Sequence, residues 1–382
     1  MLGRTSHQRA ARALYLVAVA CLSGCTSATG PGPRIAPMWS VPVGPGISIG
    51  GAAISVPGAD STLVVFSAAL GGAPVVVALD ASTGARRWVR SLPGTNSLDE
   101  SVLVLTPTAV IRSSVTRLTV LDRSGVVVWD STFAEVGALS WATARGDTVV
   151  AAWGWTVGAW RISSGVRLWR RDYPRDSTLV RLTGVTVSGD SVYASGTRFT
   201  GGATKQAVIL AMRLGTGGVL WSLERDSVEH GHFLAAPAVV GSLLLLTDFG
   251  VGGLQAFDRF TRTQVWRTVG LPCCVGGSGT PLAQGGVVFH AGGDETVRAV
   301  DLATGVERWR AQSEGGFSAQ AVLCDGRFWA TNLALRAYDL GTGAPQGVAV
   351  DGTEEYASSG LATARGLVFV AGQQRFYAFA CN

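Results

Sequence analysis

The chain has 382 residues, 51 of them Gly and only 15% charged, a composition that fits many short strands joined by tight turns. Its formal charge of +5 counts Arg4, Arg9 and Arg12 of a leader segment; without them 28 basic residues face 26 acidic ones, which removes the electrostatic case for a nucleic-acid partner. Lys205 is the sole Lys, so the Arg excess reads as genome composition and not as a basic patch.

Residues 1–24 read as a processing segment. The three Arg form a basic region, and Leu14 to Leu22 form an apolar run too short to span a bilayer. Leu22-Ser23-Gly24-Cys25 follows and resembles the lipobox of bacterial lipoproteins. That resemblance implies cleavage before Cys25, acylation of Cys25, and a stable anchor from more than one acyl chain. Thr26 in place of Asp after the Cys resembles cargo sorted to the outer membrane, facing the periplasm. Residues 25–38 are rich in Gly, Pro, Ser and Thr and read as a flexible tether.

A lone strand, Met38-Trp39-Ser40-Val41, opens the mature chain. A repeat of the form A-x-D-x-x-T-G-x-x-x-W then recurs about every forty residues, a period that marks a solenoid or propeller. The first copy is Ala78, Asp80, Thr83-Gly84, Trp88. The second, one residue shorter, is Val120, Asp122, Ser124-Gly125, Trp129. The third and fourth put Arg161 and Arg213 at the Asp position, with Ser164-Gly165, Trp169 and Thr216-Gly217, Trp221. The fifth has Asp258, Thr261, Trp266, and Arg262 where Gly is expected. The sixth is Ala299, Asp301, Thr304-Gly305, Trp309. The seventh has Ala337, Asp339, Thr342-Gly343, but Gly347 replaces the Trp. The eighth ends after Ala378-Phe379.

Apolar alternation before each copy, as in Val75 to Leu79 and Val297 to Val300, predicts strands. The D-x-x-T-G stretch predicts a hairpin whose Gly supplies a positive φ, and the Trp falls on the next strand. Upstream hairpin signals such as Gly146-Asp147 and Gly285-Gly286 make four strands per unit, A to D, with Trp on D. The last unit has no D strand, and the first strand of the mature chain has no partner. Joining them predicts an all-β, eight-bladed propeller of four-stranded antiparallel blades over residues 39–382, about 43 residues per blade, with no open sheet edge.

Export would place Cys273, Cys274, Cys324 and Cys381 in an oxidising compartment. Four cysteines allow three pairings. In an up-and-down blade the A–B and C–D turns share one face, and the B–C and D–A loops share the other. Cys273-Cys274 falls on a D–A connection, whereas Cys324 and Cys381 fall on A–B and C–D ends. Strand parity therefore pairs Cys273 with Cys274 and Cys324 with Cys381, free thiols being the alternative. His230 and His232 form an H-x-H on an extended segment but have no evident third ligand, so no metal is expected. His290 reads as structural, and Asp99-Glu100 and Glu354-Glu355 as solvated loop acids. There is no P-loop, dinucleotide fingerprint or G-x-S-x-G elbow.

The repeat resembles the tryptophan-docking motif of quinoprotein-like, or PQQ-repeat, β-propellers, over nearly all of residues 39–382. Two branches share that fold. One is the propeller lipoprotein of the outer-membrane β-barrel assembly machinery, which has eight blades behind a lipobox and binds the barrel-inserting component through surface loops without a cofactor. The other is the pyrroloquinoline quinone alcohol dehydrogenases, which carry a vicinal disulfide above the quinone, a Trp floor beneath it and a Ca²⁺ site. Cys273-Cys274 resembles the vicinal pair, and Trp141, Trp153 and Trp155 are spare tryptophans, but no Ca²⁺ ligands or catalytic Asp can be assigned. The resemblance therefore implies a monomeric, membrane-tethered, non-catalytic scaffold for envelope protein partners, with no cofactor; the dehydrogenase is the alternative. The Trp153-Gly154-Trp155 stretch is a candidate contact.

Overall fold

Alternation sends neighbouring side chains of one strand to opposite faces of its sheet, so every blade can pack against two neighbours at once. The computed structural model describes residues 32–48, 54–55, 62–93, 101–114, 116–133, 140–173, 179–200, 204–226, 232–233, 235–249, 253–268, 277–292, 296–313, 318–331, 334–350 and 360–382. These residues form eight sheets, and there is no helix among them. Blade 2 shows the plan: strands A to D are Val102–Leu105, Ala109–Ser114, Arg117–Asp122 and Val127–Thr132, each antiparallel to the next. The A strands touch one another at most of the blade junctions, which puts them on the axial side of the ring.

Blades 1 and 5 depart from the plan at the axis. Their A strands are split, into Ile47–Ser48 and Ile54–Ser55 in blade 1 and into His232–Phe233 and Ala238–Val240 in blade 5. In blade 7 the A strand Ser318–Cys324 also takes a parallel partner on its inner edge, Gly277–Ser278, from the connection between blades 5 and 6. That connection therefore reaches past its own blade to the axial side of blade 7.

Eight apolar clusters among the described residues fill the eight blade junctions. In strand B of blade 1, Val64 and Phe66 pack towards blade 8, whereas Leu63 and Val65 pack towards blade 2. The junction of blades 8 and 1 closes the ring. Strand Trp39–Pro42 pairs antiparallel with Arg375–Ala380, with Trp39 opposite Ala378 and Val41 opposite Phe376. The Arg375 guanidinium donates to the Ser40 carbonyl and hydroxyl at 3.0 and 2.8 Å, and Phe376 packs on Phe66 with ring centroids 4.1 Å apart. The expected ring of eight blades, closed by the N-terminal strand, is the observed fold.

Candidate functional site

The repeat motif builds the junctions at the C–D turn face. In each complete copy the Asp carboxylate accepts turn N–H groups; in blade 6, Asp301 Oδ1 accepts from Ala303 N and Thr304 N at 3.1 and 3.0 Å. The turn carbonyl then accepts the indole N–H of the preceding blade. Trp39 donates to Ala81 O at 3.1 Å, Trp88 to Arg123 O at 3.0 Å, Trp129 to Ile162 O at 2.6 Å and Trp169 to Leu214 O at 2.6 Å. Trp266 and Trp309 do the same to Leu302 and Leu340. The turn glycine is required twice. Gly84, Gly125, Gly165, Gly217, Gly305 and Gly343 all have φ between 64° and 84°. A Cβ on any of them would also lie under 3.0 Å from the docked indole. Arg262 takes the same backbone shape, φ 64°, in blade 5.

The tightly held turn carboxylates are acidic. Asp301 is lowered to about 2, first by the Arg308 guanidinium at 2.7 Å and then by Thr304. Asp80 is held well below the usual carboxylate range, chiefly by Ser82 and then Arg87. Blade 3 has Arg161 instead of Asp, and its turn is capped from the adjacent A–B hairpin: Asp147 accepts from Ser163 N at 2.8 Å and Ser163 Oγ at 2.6 Å.

Blade 7 carries the main departure from the repeat. Blade 8 has no C–D turn, because its D strand comes from the N-terminal end, so a tryptophan at position 347 would find no turn to dock on. Gly347 stands there, and the segment Gly32–Ile35 fills the vacated space. Ile35 N donates to Val348 O at 2.8 Å, Val348 N donates to Pro33 O at 3.0 Å, and Arg34 bridges Val348 in parallel. Nearby, Cys324 and Cys381 form a disulfide with Cα atoms 5.4 Å apart, tying the last residues to blade 7. Asp325 is beside them, but a disulfide offers no thiolate to a metal.

Other singled-out residues fall elsewhere. Cys25, Cys273, Cys274, His230, Asp99, Glu100, Glu354 and Glu355 lie outside the described residues. His232 pairs through its backbone with Phe249 on the inner edge of blade 5. His290 is buried in strand B of blade 6, 1% exposed. The Trp153 expectation is corrected. That ring is 2% exposed, stacked on Phe133 at 4.1 Å and tilted against Trp160 at 5.5 Å, because position 153 ends strand B on its core side. Trp141 and Trp155 pack against the core cluster between blades 3 and 4.

Two features were missed in the sequence. Arg112, in strand B of blade 2, is only 6% exposed and its Nε donates to Ser67 Oγ at 3.1 Å, while Ser101 Oγ donates to the same oxygen at 2.7 Å. Burial lowers its pKa to about 10. Nothing in a strand pattern announces a buried cation. The second is an exposed apolar arc on the outer edge, at or just after the turn glycines: Val126 51%, Val166 55%, Val219 57% and Val306 64% exposed. Its signal was the recurrent branched residue next to the Gly.

The family model described as outer membrane protein assembly factor BamB matches residues 36–268 and again 204–380. The chain belongs to this family. The overlapping matches span the ring and its closing strands. Among solved structures, BamB from Moraxella catarrhalis is similar at 20% identity and TM-score 0.56, over 75% of this chain and 80% of that one. The computationally designed Ika8 protein is similar at 15% identity and TM-score 0.64, over 91% and 100%. Saccharomyces cerevisiae Sqt1 is similar at 8% identity and TM-score 0.69, over 92% and 99%. At such identities these structures speak to the fold alone. No curated protein sequence matches the chain significantly.

Proposed function

We propose that this chain is a non-catalytic propeller, tethered to a membrane by acylated Cys25, that binds protein partners in the bacterial envelope and serves outer-membrane β-barrel assembly. The observation that carries this reading is the family match across the whole ring. The lipobox-like Leu22-Ser23-Gly24-Cys25 supports the tether, and a tether raises the local concentration of a membrane-bound partner. The rim apolar residues support partner contact, since an exposed branched residue recurs at the turn of blades 2, 3, 4 and 6. The site chemistry supports a scaffold: the polar groups that repeat from blade to blade are committed to capping turns and docking indoles.

The test is crosslinking in native membranes followed by capture of the tagged chain. Recovery of a barrel-assembly component is expected, and its loss on Val166→Asp would place the contact on the arc. Recovery of no such component would overturn the assembly role. Purified protein mixed with pyrroloquinoline quinone and Ca²⁺ is expected not to reduce a dye when alcohols are added; turnover would overturn the non-catalytic reading.

A further inference from the structure

We infer that the segment Gly32–Ile35 is a strap that turns the blade 7–blade 8 rim of the disc towards a lipid bilayer surface. This rests on the reading that Cys25 carries the lipid. Gly347 has φ 153°, and a Cβ there would lie 2.5 Å from Pro33 O and 2.7 Å from Ile35 Cγ1, so the glycine is what admits the strap. Two backbone hydrogen bonds hold the strap to the outer strand of blade 7, and Ile35 packs on the cluster that contains Trp329 and Leu335.

The strap shortens the tether. Seven residue steps separate Cys25 from Gly32, a reach of at most about 25 Å at 3.3–3.6 Å per residue. Were the chain first held at Trp39, fourteen steps would reach about 50 Å. Four strands about 4.8 Å apart make each blade about 15 Å deep, so the disc is wider than about 30 Å even before any space at the axis is added. The strap therefore keeps blades 7 and 8 close to the anchor and leaves blades 3 and 4, across the ring, farther from it. The rim suits such a surface. Strand Pro345–Val350 bears no acidic side chain, and Met38, next to the strap, is 65% exposed.

The experiment uses the full-length acylated protein in phosphatidylethanolamine–phosphatidylglycerol vesicles doped with a nitroxide-headgroup lipid. A thiol-reactive fluorophore is placed on Gln346→Cys or on Val166→Cys, with the unsubstituted chain carried through the same labelling as background. Quenching at position 346 is expected to exceed that at 166 by about threefold or more. Gly347→Trp and, separately, Ile35→Asp are expected to bring the ratio near one by releasing the strap. Equal quenching at both positions in the parent, or a ratio that neither variant changes, would overturn the inference and leave the lipid anchor standing. Mass spectrometry of the N-terminal peptide separates the two readings: an unacylated Cys25 overturns the anchor and, with it, the orientation.

Discussion

At the residue scale, the recurring unit is a carboxylate, a glycine and an indole, each doing something its substitutes do badly. The glycine accepts a positive φ and leaves room for the indole above it. Arg262 tests the first of these separately, because it holds φ 64° with a side chain attached. Arg262→Gly is expected to raise the melting temperature, the gain corresponding to about 1 kcal/mol of relieved left-handed strain. The carboxylates give a pH dependence. Asp301 is lowered to about 2 in the folded chain, against about 4 unfolded. Its contribution is therefore present above pH about 4 and is lost as pH falls towards 2. The melting-temperature difference between the parent and Asp301→Asn is expected to be largest near neutrality and to shrink at pH 2. Calorimetry across that range would show it.

At the element scale, the blades were legible because alternation, turn chemistry and a landmark tryptophan agree in each repeat. The exceptions were legible as letters but not as consequences. Gly347 could be seen to replace a tryptophan, yet only the ring shows that the next blade lacks the turn to receive one and that Gly32–Ile35 uses the space. Arg161 could be seen to replace an Asp, yet the cap from Asp147 depends on two hairpins meeting. Trp153 was misjudged because a tryptophan beside a turn has the same local sequence whether its ring faces Phe133 or solvent. Arg112 had no signal at all. It places a desolvated cation at the junction of blades 1 and 2, donating to the Ser67 hydroxyl, which also accepts from Ser101. Arg112→Met keeps the stem and removes the charge, and Ser67 and Ser101 keep their mutual hydrogen bond. The variant is expected to be more stable by about 1–2 kcal/mol, read as a rise in melting temperature; a fall would show that the guanidinium is compensated.

At the scale of the whole molecule, the first described segment, Gly32 to Pro42, and the last residues meet at blades 7, 8 and 1. The closing strand pairs with the last one, and the Cys324–Cys381 disulfide holds the tail to blade 7 across a separation of 57 residues. A loop of that length predicts roughly 4 kcal/mol of stabilisation from the restricted unfolded chain. Cys324→Ser combined with Cys381→Ser is expected to lower the melting temperature and to speed hydrogen exchange in Arg375–Ala380 first, with blades 3 and 4 following only on global unfolding. Uniform acceleration across all blades would mean that the ring opens as one unit and not from its seam.

Ser40 and its partner Arg375 are 335 positions apart. At 5–20 residues per second, the first strand would wait about 20–70 s after synthesis before its partner exists. A waiting strand invites the wrong neighbour, and this one is built to refuse it: Trp39–Pro42 is four residues long and ends in a residue with no N–H to offer. Brevity at the seam thus guards a nascent polypeptide during the interval when the ring cannot yet shut.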